Sequence, residues 1–172
     1  MSRPYTSEIL QDPGLLTIIG EISINWDEIE FSLWYMFDAL LPTPWRQTYA
    51  IFFSQQNHRA RREMLEALII EREKHALTER KNTERFKKMK RILGRVKRAA
   101  KKRNDIAHGL WFGDAAQEGM EIWRHAIKKT YESGIEYSKT DLAKARDQIK
   151  ALSIDLYYLA YPQWRRKNWR HL

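Results

Sequence analysis

The sequence predicts a mainly α-helical protein, a bundle of four to five helices with a small β-hairpin or irregular insertion before the last helix. The main evidence is a set of three apolar stripes whose members are spaced alternately three and four residues apart. That alternation marks one face of an amphipathic helix. The 172 residues are expected to form one domain, with a short arm over 1–12, the insertion over 110–137 and a basic aromatic tail over 163–172.

The first stripe predicts one helix of about seven turns. Its members are Leu15, Ile19, Ile22, Trp26, Ile29, Leu33, Met36 and Leu40. Phe31, Trp34 and Phe37 widen its apolar face beyond what one seam of a bundle requires. The excess apolar surface favours a homodimer formed through this helix, which should end in the proline-containing segment 41–44.

Two shorter helices are expected next, one over 45–53 and one over about 55–77, with Ser54 as the N-cap of the second. The segment 110–137 alternates short apolar stretches with glycine-containing turns, which is typical of β structure. Ser138 or Thr140 is a candidate N-cap for the last helix, and Pro162 is expected to end it.

Positive charge is concentrated in one segment. The chain carries +9 at neutral pH, yet residues 80–103 alone hold thirteen Lys or Arg and a single acid, Glu84. Taking this segment away from the chain's +9 leaves −3 for the remainder. A basic stripe confined to one segment favours a phosphate-rich partner such as RNA. The common alternative is a helix face that is merely solvated.

One arginine interrupts the apolar stripe of this basic helix. Phe86, Met89, Leu93, Val96 and Ala100 set the face, Ala107 continues it, and Arg103 stands where the next apolar residue belongs. A guanidinium on a buried face costs free energy unless it is paired or has a function. His108 follows five residues later, and Asn104 lies one turn before that histidine, within hydrogen-bonding reach. The alternative is structural: an ion-paired core arginine, a histidine at the helix C-cap and Gly109 just beyond it.

The segment Arg103-Asn104 followed by Ile106-Ala107-His108-Gly109 resembles the signature of the HEPN superfamily, in which an arginine, a polar residue and a later histidine end the penultimate helix of a small α-helical domain. The resemblance implies a dimeric, metal-independent endoribonuclease, acting as a toxin with an antitoxin partner or in anti-phage defence. It also implies that Arg103 and His108 are the catalytic pair and Asn104 their polar accessory. The sharp resemblance covers about seven residues, whereas the order of helices is compatible with the whole family domain.

The residue types suit such chemistry. Histidine can exchange a proton near neutral pH, and a guanidinium can bind two phosphate oxygens and stabilise their charge. Lys97, Arg98, Lys101 and Lys102 are predicted to bind the RNA backbone. Around a regular helix Arg103 and His108 lie roughly 140° apart, so we expect them to meet only if the helix distorts or a second subunit completes the site.

Two alternatives remain from the sequence: a catalytically inactive nucleic-acid or nucleotide-binding module of the same fold, and a helical protein-interaction domain. Other chemistries have little support. There is no cysteine, the five histidines are scattered, and the seven glycines form no phosphate-binding loop. No metal or cofactor is therefore predicted. Nor is there a signal peptide or an apolar run long enough for a membrane span, so a soluble cytoplasmic protein is expected.

Overall fold

We describe the protein in a computed structural model over residues 12–75, 80–108, 110–113, 119–123 and 135–167. The predicted arm before residue 12, the last five residues of the predicted tail and Gly109 lie outside these ranges. The fold is a mainly α-helical bundle, as the sequence predicts. Among the helices described, none has a stretch both long and apolar enough to cross a bilayer.

The described chain contains five helices and three strands. In order they are α1 (Pro13–Leu40), α2 (Trp45–Ser54), α3 (His58–His75), α4 (Arg80–His108), β1 (Leu110–Gly113), β2 (Gly119–Trp123), β3 (Ile135–Ser138) and α5 (Lys139–Lys167). The stripe that predicted α1 is buried at every position except Ile19, which is half-buried beside the buried Ile18. The 28-residue length of α1 agrees with the predicted seven turns.

The insertion between α4 and α5 contains a three-stranded antiparallel sheet in the order β1-β2-β3. Leu110 is opposite Trp123 in the first pair of strands, and Gly119 is opposite Ser138 in the second. The predicted hairpin is therefore present, and a third strand extends it directly to the start of α5.

Polar side chains define two of the helix starts. The Ser138 hydroxyl accepts a hydrogen bond from the Asp141 backbone N–H at 3.1 Å, and the Asp141 carboxylate accepts one from the Ser138 backbone N–H at 3.2 Å. This reciprocal capping box confirms Ser138 as the N-cap of α5. Asn57 caps α3, because its Oδ1 accepts a hydrogen bond from the Ala60 N–H at 2.8 Å. The predicted cap Ser54 is wrong: this residue ends α2, and its hydroxyl donates to the Ile51 carbonyl instead.

Helix α5 does not end at Pro162, as the sequence predicted, but continues to Lys167. Proline has a fixed φ close to the helical value. Its ring removes a hydrogen bond and crowds the preceding turn, but it does not by itself force the backbone out of the helix. Residues 163–167 of the predicted tail therefore belong to α5.

The chain divides into two compact units. We call Met1–Trp26 with Arg98–Ala151 the motif unit, and Asp27–Lys97 with Leu152–Leu172 the aromatic unit. In the motif unit, the buried apolar side chains include Leu15, Ile22, Trp26, Ile106, Leu142 and Ile149. In the aromatic unit all five helices contribute buried side chains, among them Leu33, Phe52, Leu65, Leu93 and Leu156. The single domain inferred from chain length remains a prediction.

Two polar clusters lie in the aromatic unit. The buried Thr48 hydroxyl donates a 2.6 Å hydrogen bond to the buried Asp38 carboxylate, which links α2 to α1. Glu30 pairs with Arg61 and lies 3.4 Å from His58 Nδ1. Both of these carboxylates, Asp38 and Glu30, thus have a donor, as burial of a charge requires.

Candidate functional site

The last two turns of α4 bring Arg103, Asn104 and His108 together. Arg103 Nη1 lies 3.3 Å from His108 Nε2 and 3.2 Å from Asn104 Oδ1. Asn104 and His108 are exposed, whereas Arg103 is half-buried. The three residues named from the sequence therefore form one contiguous polar cluster at the C-terminal end of α4.

The cluster forms within a single chain and without unwinding the helix. Five residues separate the two Cα atoms by roughly 7.5 Å along the axis, and the angular offset is large. Arginine bridges this distance because its guanidinium lies at the end of a long, flexible side chain. Helix α4 is still helical at His108. The expectation that Arg103 and His108 meet only through a distorted helix or a second subunit is thus wrong.

The buried side of the Arg103 side chain rests against an indole. The guanidinium carbon lies 5.7 Å from the centroid of the Trp26 ring, and Trp26 is only 1% exposed. At this distance a cation is attracted by the face of an aromatic ring. Arg103 Nε is buried and has no hydrogen-bond partner among the described residues. Trp26 therefore supports the arginine from α1, a contact that sequence reasoning missed, since periodicity identified Trp26 only as a core residue.

The contact between Arg103 and His108 fixes the hydrogen-bonding roles of the imidazole. An arginine N–H can only donate, so Nε2 of His108 is the acceptor in this contact. A ring nitrogen of His108 thus lies next to a permanent cation. Such a pair can take up one proton and stabilise one negative charge.

Asn104 contacts the arginine. The expectation was that its amide would hold the His108 ring one turn later. Its Oδ1 instead accepts from the guanidinium, and no bond from Asn104 to His108 occurs among the described hydrogen bonds. Asn104 and His108 therefore contact the same Nη1 atom and together orient the Arg103 guanidinium.

The apolar face of α4 shifts at the motif. Phe86, Met89, Leu93, Val96 and Ala100 are buried as predicted. Beyond them Ala107 is exposed, and its neighbours Asp105 and Ile106 are buried instead, at 3% and 1% exposure. Arg103 lies at the edge of the core, and Ala107, four positions later, lies outside it. Ile106 is buried in place of Ala107.

The four predicted RNA-binding residues, Lys97, Arg98, Lys101 and Lys102, are all exposed. The last three belong to the motif unit and Lys97 to the aromatic unit. Lys102 Nζ donates a 3.1 Å hydrogen bond to Gln148 Oε1 on α5. Lysine and arginine side chains placed in this way can reach phosphate groups in solution.

Three further polar residues, Asn25, Glu30 and Asp105, differ in how they relate to the motif. Asn25 donates a hydrogen bond to the Glu21 carbonyl within α1. Glu30 belongs to the aromatic unit and pairs there with Arg61. Only Asp105, buried next to Asn104 in sequence, lies within the motif itself.

Within the ranges that the structure describes, no cluster of three or more His, Asp or Glu side chains is arranged to hold a metal ion. Comparison of the chain with protein-family models, with curated proteins and with solved structures gives no match.

Proposed function

We propose that this protein is a metal-independent endoribonuclease of HEPN type that acts as a toxin or an anti-phage defence protein in the cytoplasm. The observation that carries the proposal is the 3.3 Å contact between a half-buried arginine and an exposed histidine at the end of a strongly basic helix. The resemblance of residues 103–109 to the HEPN signature supplies the reaction class.

The proposed reaction needs no cofactor. The ribose 2′-oxygen attacks the adjacent phosphorus while its proton passes to a base. The bond from phosphorus to the 5′-oxygen then breaks, and an acid protonates that oxygen. The products are a 2′,3′-cyclic phosphate and a 5′-hydroxyl. His108 is the proton-transfer group, and Arg103 stabilises the doubly charged phosphorane.

The surroundings of Arg103 suit this role. Phosphate must approach from the solvent side, where His108 and Asn104 are exposed, while the Trp26 indole supports the guanidinium from the interior. A cation held in this way needs little reorganisation when charge develops in the transition state. Asn104 fixes the rotation of the guanidinium through the 3.2 Å hydrogen bond to Nη1.

A homodimer is part of the proposal, because one histidine cannot serve as base and acid in the same step. Two copies of His108, one from each subunit, would divide these roles. Surplus apolar surface supports the association, since the large side chains exposed by about two-fifths or more include Phe31, Trp45, Tyr49 and Ile51. If the protein is a toxin, an antitoxin protein is a second partner.

The decisive experiment is cleavage of a mixed single-stranded and structured RNA pool in EDTA. We expect wild type to release cyclic-phosphate ends and His108→Ala to lose roughly 10²–10⁴ in rate. His75→Ala is the matched control, because His75 is also exposed but pairs with Glu71 at the end of α3. Loss of activity in both variants would point to misfolding, so the helical circular dichroism is measured in each. Undiminished activity in His108→Ala would point to a contaminating nuclease and would remove His108 from the proposed reaction.

RNA retention tests the basic surface separately. Reversing Arg98, Lys101 and Lys102 to Glu should abolish binding at moderate salt, whereas Lys150→Glu on α5 should leave it nearly unchanged. For each phosphate group that the variant no longer binds, the slope of log K against log salt should fall by about 0.7 on single strands. Salt-dependent retention without cleavage would instead identify a catalytically inactive binding module. No retention even at low salt would favour a protein-interaction domain.

A further inference from the structure

A cavity of about 350 Å³ lies in the aromatic unit, between the middle of α1 and the second half of α5. This volume is at the lower end of the range for small-molecule sites. Four of the eight lining residues are aromatic: Phe31, Tyr35, Tyr157 and Tyr158. The cavity lies entirely within the aromatic unit and uses none of the residues proposed for catalysis.

The aromatic rings form walls at different angles. Tyr157 and Tyr158 are nearly perpendicular, with ring centroids 5.8 Å apart and an interplanar angle of 76°. Tyr35 stacks in a tilted arrangement on the buried Trp34, with centroids 4.7 Å apart, so it is supported from behind. Burial raises the pKa of Tyr35 above its ordinary value of 10.0, so the phenol is neutral near pH 7, as an ordinary tyrosine is. Rings that meet at a corner can present several π-faces to one ligand group.

Among the described residues that line the cavity, the one charged side chain is the acidic Glu28. The Glu28 carboxylate accepts a 2.8 Å hydrogen bond from the hydroxyl of Ser153, which is only 2% exposed. The bond fixes the direction of the carboxylate across the cavity, from α1 towards α5. The eight described lining residues include no lysine or arginine, although the chain has 31 of them against 22 acids.

Neutral aromatic faces together with one oriented carboxylate select for positive charge. A cation above an aromatic face is attracted by the ring quadrupole, and an alkylated ammonium group also buries its methyl groups against the rings. The carboxylate adds a direct charge interaction that a neutral ligand of the same shape would not receive. An anion would meet only repulsion at Glu28.

We propose that this cavity binds a small organic cation that carries an alkylated ammonium group. The ammonium methyl groups contact the rings of Tyr157 and Tyr158 while Glu28, held by Ser153, lies opposite the charge. The site uses none of the residues proposed for catalysis, and of the lining residues Phe31 also belongs to the apolar surface proposed for the homodimer. Choline binding and RNA cleavage are measured separately, so either proposal can fail without the other.

Calorimetric titration of the protein with choline tests the proposal. The matched probe is 3,3-dimethylbutan-1-ol, which has the same shape with carbon in place of the charged nitrogen. We expect saturable binding of choline and at least about tenfold weaker binding of the alcohol. Equal affinity for the two probes, or no saturable binding of choline, would overturn the proposal.

Substitutions place the binding in the cavity. Glu28→Gln should weaken choline binding about tenfold. Asp27→Asn removes an equally exposed charge one residue earlier, which is not among the residues that line the cavity, and should have little effect. Tyr158→Leu should weaken binding severalfold, and Tyr158 is 69% exposed, so folding should not depend on it. Undiminished affinity in both Glu28→Gln and Tyr158→Leu, with native circular dichroism, would exclude this cavity as the site.

Discussion

Replacing Arg103 by methionine distinguishes a functional arginine from a structural one. Methionine keeps the unbranched, apolar part of the side chain, which can still pack on Trp26, but removes the guanidinium. The change eliminates a buried Nε that has no hydrogen-bond partner among the described residues. Arg103→Met should therefore leave the fold intact while the proposed cleavage disappears.

The expected change in stability follows from two opposing contributions. Losing the cation–π contact with Trp26 costs about 0.5–2 kcal/mol, and removing a buried, unpartnered donor returns about 1–3 kcal/mol. The free energy of unfolding should thus stay within about 1 kcal/mol of wild type or increase.

Arg61 provides the matched control. It is also a half-buried arginine over an aromatic ring, with its guanidinium carbon 4.9 Å from the Phe53 centroid. Unlike Arg103, it pairs with the half-buried Glu30 carboxylate and donates to the Gln55 carbonyl at 2.9 Å. Arg61→Met removes the arginine partner of that carboxylate and should cost about 2–4 kcal/mol.

Urea unfolding followed by far-ultraviolet circular dichroism measures both variants. The comparison is made at equal slope m, so that a difference in midpoint reports stability. If Arg103→Met loses as much stability as Arg61→Met, the arginine is a structural core residue and the reasoning from its position is refuted. If Arg103→Met unfolds at the same free energy as wild type but no longer cleaves RNA, Arg103 serves the reaction and not the stability of the fold.

Three further predictions concern single contacts. Thr48→Val should lower the urea-derived free energy of unfolding by about 1.5–3 kcal/mol, because the buried Asp38 carboxylate loses its donor. The control Thr17→Val, at an exposed site of α1, should change it by less than about 0.5 kcal/mol. The hydrogen bond from Lys139 is the main reason why the pKa of Asp12 lies below its ordinary value of 3.8. The stability that the folded state gains from this lowered pKa is complete above the ordinary pKa and is lost as pH falls through the lowered one. Asp12→Asn should therefore reduce the decline in the free energy of unfolding that occurs below about pH 4. Trp26→Phe should slow RNA cleavage severalfold with helical circular dichroism retained, and unchanged kinetics would remove the indole from the proposed site.

Much of the helical architecture could be read from local patterns. The stripe of α1 is buried at seven of its eight predicted positions, and the capping box at Ser138 is where the sequence placed a cap. Both depend on residues within a turn or two of each other, for which helix geometry alone fixes the relation. The prediction that α5 ends at Pro162 was wrong. One proline disfavours the helix locally, but the free energy gained by continuing the helix can exceed that cost.

The candidate site was predictable only in part. The sequence identified Arg103, Asn104 and His108, yet it assigned the Asn104 hydrogen bond to the wrong partner and required a distorted helix or a second subunit to bring the pair together. Angles between Cα positions do not describe where a long arginine side chain ends, and the structure places its Nη1 between the two other polar groups.

The sequence by itself determined the helical class, most of the buried positions of the α1 and α4 stripes and the concentration of positive charge before the motif, since each depends on the spacing and type of neighbouring residues. Tertiary structure alone decided that Trp26 supports Arg103, and that Glu28 and Ser153 meet across an aromatic cavity. These contacts join residues 77 and 125 positions apart. Their existence depends on how whole helices pack, and packing minimises the free energy of the entire core, which no local pattern encodes.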